Sequence, residues 1–181
     1  MELRRGLWKT CRVIASETRL KMLWYLFAEG ELTVMECSQF MRLSPSNTSF
    51  QLKMLRECGL VISRREKMEV FCRAEANSAV EFAPEVLEAL RRCHELGVSF
   101  KTLIRHATAF THERRIEILR ALRGRSLSAL ALRDATGMSS SAFCRHLDKL
   151  IRRGYVRNLD RSCRIGIPAN TLGRTLLKLA T

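Results

Sequence analysis

The sequence predicts a mainly α chain with small β-hairpins, built as two copies of one helix, helix, helix, hairpin unit joined by connecting helices. Three observations predict it. The chain repeats itself, glycines and capping residues punctuate both copies alike, and a β-rich stretch follows the third helix of each copy. At a constant offset of 95 the identities Leu32/Leu127, Ser44/Ser139, Ser46/Ser141, Leu52/Leu147, Leu55/Leu150, Gly59/Gly154, Val61/Val156 and Ala74/Ala169 align. One residue of slippage in the turns around Gly30 and Gly124 brings Glu17, Leu23 and Leu26 opposite Glu113, Leu119 and Leu122, and turns are where length changes are tolerated.

In the first copy Ser16 is placed to cap a helix whose apolar residues Leu20, Leu23, Leu26 and Phe27 recur at helical spacing before Gly30 closes it. A short helix over Thr33–Met41 follows. Ser44 then serves as a cap with Pro45 in the first turn of a third helix running to about Cys58. Thr48, Leu52 and Leu55 form its buried stripe, which leaves Ser46, Asn47, Ser49, Phe50 and Lys53 facing outward. After Gly59, the stretches Leu60–Arg64 and Glu69–Arg73 around a charged turn predict a hairpin.

The second copy predicts helices over Glu113–Leu122, Leu127–Thr136 and Ser140–Arg153, with a hairpin from Tyr155–Leu159 and Cys163–Ile167. Between the copies, Pro84–Phe110 lacks linker composition. Its residues Val86, Leu87, Leu90, Leu96, Phe100, Leu103 and Ile104 predict one or two packed connecting helices. Leu3–Ile14 and Leu172–Leu179 are further helical stretches expected to join them in a central scaffold. The expected division is a first domain at 1–78, connecting helices at 79–110 and a second domain at 111–181.

Composition bounds the partners. Of 181 residues, 46% are hydrophobic, enough for two small cores, and 32 Lys and Arg against 18 Asp and Glu give a net charge of +14. Residues 1–95 hold 15 basic and 13 acidic residues, whereas residues 96–181 hold 17 and 5. Such an excess of arginine favours a polyanion, held chiefly by the second half. No apolar run reaches the roughly 20 residues of a membrane span. Seven cysteines without a CxxC pair argue against a disulfide framework and a zinc site. A soluble cytoplasmic protein that needs no membrane is expected.

A short helix, a sharp turn and a second helix with a polar amino-terminal face is the arrangement that enters the DNA major groove, and a following hairpin can lie over phosphates. The chain thus reads as two tandem winged helix-turn-helix domains. Leu43–Val61, containing Ser-Pro-Ser-Asn-Thr-Ser-Phe-Gln-Leu-Lys from Ser44 to Lys53, resembles the recognition segment of ArsR-like (arsenic-repressor-type) regulators. Glu17–Leu23, Gly30–Val34 and Arg64–Val70 resemble that family's preceding elements and wing. Met138–Val156, with Arg145-His-Leu-Asp-Lys-Leu inside it, is similar to the same recognition segment.

The resemblance implies that Ser46, Ser49, Gln51, Ser141, Arg145 and His146 approach double-stranded DNA, and that Arg64, Arg65, Lys67, Arg157, Arg161 and Arg164 meet phosphates. Asn47, Lys53 and Lys149 complete the expected contact surface. Arg145 is the leading residue for base readout because a guanidinium pairs bidentately with guanine. Phe50 departs from the family pattern, standing where a polar or basic residue is usual, and Asp148 sits awkwardly beside phosphate.

The family's metal sensors often carry Glu-Leu-Cys-Val-Cys before the recognition helix, and Thr33 and Met35 occupy those cysteine positions here. No metal site and no cofactor are expected. Cys37 and Cys58 are expected to be small buried hydrophobes, while thiol switching at Cys11, Cys93, Cys144 or Cys163 would matter most at Cys144, on the DNA surface. His94, His106, His112 and His146 accompany no nucleophile motif or phosphate loop, so the expectation is not an enzyme. The resulting reading is a transcriptional regulator whose fused copies imitate a dimer and whose unequal helices predict a non-palindromic operator; a further homodimer is compatible with it. Competing readings are a protein-interaction scaffold and an architectural DNA-binding protein without sequence readout.

Overall fold

The structure, a computed structural model, describes residues 6–159 and 161–181. The first unit begins with α1 (Leu7–Ile14) and α2 (Glu17–Glu29); residues 3–5 of the expected amino-terminal helix lie outside the described residues. A short strand β1 (Glu31–Thr33) leads into α3 (Val34–Met41) and α4 (Pro45–Glu57), followed by the hairpin β2 (Ile62–Glu66) and β3 (Glu69–Arg73). The connecting helices are α5 (Ala83–Glu95) and α6 (Phe100–Ala107). The second unit consists of α7 (Glu113–Ala121), β4 (Leu127–Ser128), α8 (Ala129–Thr136), α9 (Ser140–Arg153), β5 (Val156–Leu159), β6 (Ser162–Ile165) and α10 (Thr171–Ala180). These are two winged helix domains, mostly helical, each with a small antiparallel sheet.

Local chemistry explains the boundaries. Thr33 Oγ1 accepts from the Glu36 amide at 3.1 Å while Glu36 returns a carboxylate to the Thr33 amide at 2.7 Å, a reciprocal cap that starts α3 where a metal-sensing relative would place a thiol. Ser44 Oγ accepts from Asn47 N at 3.3 Å and Pro45 fills the first turn of α4. Thr48, Leu52 and Leu55 are buried along that helix, and Phe143, Leu147 and Leu150 are their counterparts on α9. Truncating one such leucine to alanine removes apolar contact that neighbours cannot refill, a cost of roughly 2–5 kcal/mol.

Gly59 turns the chain out of α4 at φ +71°, and a Cβ there would meet Val80 Cβ at 2.8 Å and Ala83 Cβ at 2.9 Å. Glycine is required at that point by both conformation and space.

Each sheet has a third strand that the repeat did not announce. β1 pairs with β3 and β4 with β6, in the orders β1-β3-β2 and β4-β6-β5. The register also corrects the alignment: Leu32 lies opposite Cys72 and Leu127 opposite Cys163, so the offset falls from 95 to 91 within the wing. The second hairpin is shorter, and Ala74 and Ala169 are not equivalent; by this register Ile165, which pairs with Val156, is the counterpart of Ala74. A constant spacing cannot register a deletion inside a turn, where length is free to change.

The central scaffold forms inside one chain. α1 packs on α6 and α5 on α10, so the connecting helices carry the amino-terminal helix of the first unit and the carboxyl-terminal helix of the second. α10 approaches closely at Gly173, where a Cβ would meet His106 Nδ1 at 2.8 Å and Tyr155 Oη at 2.9 Å. Those two side chains are themselves joined at 2.7 Å, and the Tyr155 ring stands edge-on to Phe110 in the buried seam.

Candidate nucleic-acid interface

The second unit presents the plainer surface. Ser128 Oγ caps α8 by accepting from Ala131 N at 3.2 Å, and Gly137 closes it at φ +60°. α9 then exposes Ser141, Cys144, Arg145 and Asp148 on one side while Phe143, Leu147 and Leu150 anchor the other. On the wing, Arg157 and Arg164 are direct cross-strand neighbours, both exposed, and Arg161 occupies the turn at φ +62°. Among the described residues none of Arg145, Arg157, Arg161 and Arg164 forms an ion pair. Like charges directly opposite on a ladder repel, and an anion laid across the wing relieves that repulsion.

The first unit is built differently. Ser46, Asn47, Ser49, Phe50 and Lys53 are exposed on α4, as the apolar stripe requires, and Arg56 Nη1 donates to Ser63 Oγ at 3.0 Å, fixing the helix to its wing. Phe50 is 56% exposed. Arg64 is engaged: it pairs with Glu31 at 2.6 Å and Glu66 at 2.5 Å, and its guanidinium lies 4.4 Å from the Phe71 ring centroid. Arg64 also holds the Glu31 carboxyl below its ordinary range by hydrogen bonding. Arg65 is exposed without a described ion-pair partner, and Lys67 sits in the turn at φ +52°. Farther out on this wing Glu66 and Glu69 stand directly opposite each other, an acidic pair in the stretch that the shorter second hairpin lacks; by register Arg157 and Arg164 correspond to Ile62 and Arg73.

Of the expected contact residues, His146 turns inward, which corrects its reading, while Gln51 stands at the edge of the exposed face. Gln51 is half-buried; Arg19 Nη1 donates to its Oε1 at 2.8 Å and its Nε2 donates to Asn47 Oδ1 at 3.0 Å. His146, its counterpart at offset 95, is 5% exposed, with its ring 4.4 Å from that of His112 and its Nδ1 without a hydrogen-bond partner among the described residues. Burial, with His112, Arg115, Arg145 and Arg114 around it, pushes the His146 imidazole down to about 4. It is a neutral packing residue, not a groove contact. Both positions lie beside the buried stripe, and family likeness alone points them outward. Lys149 is half-buried toward Arg153 and Arg115, which with burial lower its ammonium below the ordinary value.

The contacts that aim these helices carry a sequence signal only through the repeat. Arg19 Nε donates to Val13 O at 2.6 Å, and Arg115 repeats this in the second unit, donating from Nε to Ala109 O at 2.7 Å and from Nη2 to Thr108 O at 3.2 Å. Each guanidinium thus closes the end of the preceding helix. The equivalence of Glu17 and Glu113 at offset 96 was the available clue, since it aligns Arg19 with Arg115.

Of the seven cysteines, Cys144 is exposed and the other six are buried. Burial raises the thiols of Cys11, Cys72, Cys93 and Cys163 and lifts Cys37 to about 12. Thiol switching at Cys11, Cys93 and Cys163 therefore lacks both access and thiolate. Among the described residues no helix is long and apolar enough to cross a membrane.

Comparison with known proteins follows the same division. The model of bacterial regulatory proteins of the arsR family matches residues 16–63 and again residues 112–158, together more than half of the chain. Among solved structures, reduced HlyU from Vibrio cholerae N16961 is 30% identical, with 50% of this chain and 87% of that one covered and a TM-score of 0.41. No curated protein matches the chain. Twice matched by one family model, with a winged helix formed at each match, the chain belongs to the arsR family of bacterial regulatory proteins.

Proposed function

We propose that this chain is a sequence-specific transcriptional regulator of double-stranded DNA, non-enzymatic and cytoplasmic, whose two winged helices act as an internal dimer. The division at 1–78, 79–110 and 111–181 belongs to this reading. The observation that carries it is the second wing: Arg157 opposite Arg164, with no carboxylate paired to either among the described residues. Exposed Arg145 on α9 supports base readout at guanine, Ser141 adds a hydroxyl, and Arg161 and Lys149 extend the phosphate track. In the first unit Ser46, Asn47, Ser49 and Lys53 form the reading face, with Arg65 and Lys67 on its wing. Arg64, held by two glutamates, contributes little net charge to DNA.

Unequal wings favour an asymmetric site gripped mainly by the second unit. Selection from a random duplex library at two salt concentrations tests this. One asymmetric motif, relaxed at a single position by Arg145→Ala, is the expected result; salt-sensitive retention without enrichment would make the protein architectural, and no retention at low salt would favour a protein scaffold. The exposed Phe50 is the observation that favours a protein partner for the first unit.

A further inference from the structure

A cleft of about 500 Å³ opens in the first unit between α1, the start of α2 and the carboxyl-terminal half of α4. Its apolar wall is Trp8, Val13, Met54 and Cys58, and its polar lining is Lys9, Arg12 and Arg19, with no carboxylate among the described lining residues. Lys9 Nζ and the Arg12 guanidinium lie 5.5 Å and 5.7 Å from the Trp8 ring centroid, which keeps both cations against the cleft wall. Arg19 is half-buried, and burial lowers its guanidinium below the ordinary value. Three cations over an apolar wall fit a ligand with one negative group and a flat hydrocarbon body.

The repeat sharpens the assignment. At offset 95, Met54 and Cys58 correspond to Lys149 and Arg153, so the second unit places cations in half of that apolar wall and the feature is peculiar to the first. The cleft is also wired to the reading helix. Arg19 joins it to Gln51 at 2.8 Å, and Gln51 reaches Asn47 on the exposed face at 3.0 Å.

We propose that this cleft is an effector site for an aromatic or similarly flat organic monoanion, whose carboxylate draws Arg19 away from Gln51 and so loosens the reading face of α4. The ligand site stands on the cleft alone; its effect on DNA rests on the regulator reading above.

The test uses the full chain and 2-naphthoate as probe, with neutral 2-naphthamide as its uncharged match, first by calorimetry without DNA. One saturable site per chain is expected, at least about tenfold tighter for the anion than for the amide, a difference of about 1.4 kcal/mol. In a Trp24→Phe background the remaining indole, Trp8, should change its emission on binding. Met54→Arg, which installs a cation where the second unit has one, should abolish binding, while Met54→Leu retains it; Arg12→Glu is a surface change that should also weaken the anion about tenfold or more. Absence of saturable binding, equal binding of the amide, or unchanged binding by both Met54→Arg and Arg12→Glu overturns the site. Saturating 2-naphthoate should then weaken wild-type binding to the enriched duplex several-fold and leave Met54→Arg unaffected; unchanged wild-type affinity overturns the coupling. A chain that binds naphthoate but no DNA keeps the cleft and loses the regulator reading, so the two failures are distinguishable.

Discussion

Arg19 Nη1 donates to Gln51 Oε1 at 2.8 Å, tying the first turn of α2 to the reading helix α4. The same guanidinium closes the carboxyl end of α1 through Val13 O, so one side chain orients three helices. A neutral-acceptor hydrogen bond to a charged donor contributes about 1.5–3 kcal/mol, reduced here by partial exposure. A double-mutant cycle of Arg19→Met and Gln51→Leu, followed by urea unfolding, should give a coupling of about 1 kcal/mol. Additivity would mean the contact orients nothing.

His146 occupies the position of Gln51 in the second unit, but buried and neutral. Its folded-state value of about 4 lies below the ordinary 6.5, so the unfolded chain binds the extra proton between those limits. Stability from this residue is complete above pH 6.5 and is lost as pH falls toward 4. His146→Gln should flatten that part of the stability profile relative to wild type, as followed by thermal unfolding at stepped pH. An unchanged slope would show that the imidazole is hydrated and freely titrating.

The two wings should differ in ionic character. Arg157→Ala and Arg164→Ala should each lower the slope of log K against log salt by about one. Arg64→Ala should leave the slope nearly unchanged, because Glu31 and Glu66 already neutralise that guanidinium. Equal effects at all three positions, measured by fluorescence anisotropy on one duplex, would place both wings on phosphate alike.

Gly59→Ala should destabilise the protein by about 1–3 kcal/mol or more, since the residue is held at positive φ and its Cβ would press on Val80 and Ala83. Gly30→Ala shares the positive φ but meets nothing within 4 Å, so chemical denaturation should rank it as milder. The reverse order would mean that the turn after α4 relaxes freely.

Under native conditions one thiol, Cys144, should react rapidly with a maleimide, and Cys144→Ser should remove that phase. DNA added before the reagent should slow it, because Cys144 shares the exposed side of α9 with Arg145. Fast labelling of further cysteines would contradict the buried seam.

Much of this architecture was written in the sequence because it rests on local rules. The cap Ser44, the glycines Gly30, Gly59 and Gly154 after their helices and the stripe of Leu52, Leu55, Leu147 and Leu150 specify helices within a few residues of themselves. The duplication needed only spacing. What the tertiary structure decided depends on residues far apart in the chain: β1 and β4 become strands only when β3 and β6 arrive beside them, and their two or three residues carry no pattern of their own. Arg64 and Arg157 both read as wing cations, yet Glu31, 33 residues away, withdraws the first. Gln51 and His146 read as groove contacts because a helix has a continuous circumference, and only the packing of α2 and α7 fixed which polar edge faces inward. Sequence spacing sets which residues share a face; the neighbour that closes against that face sets what they touch.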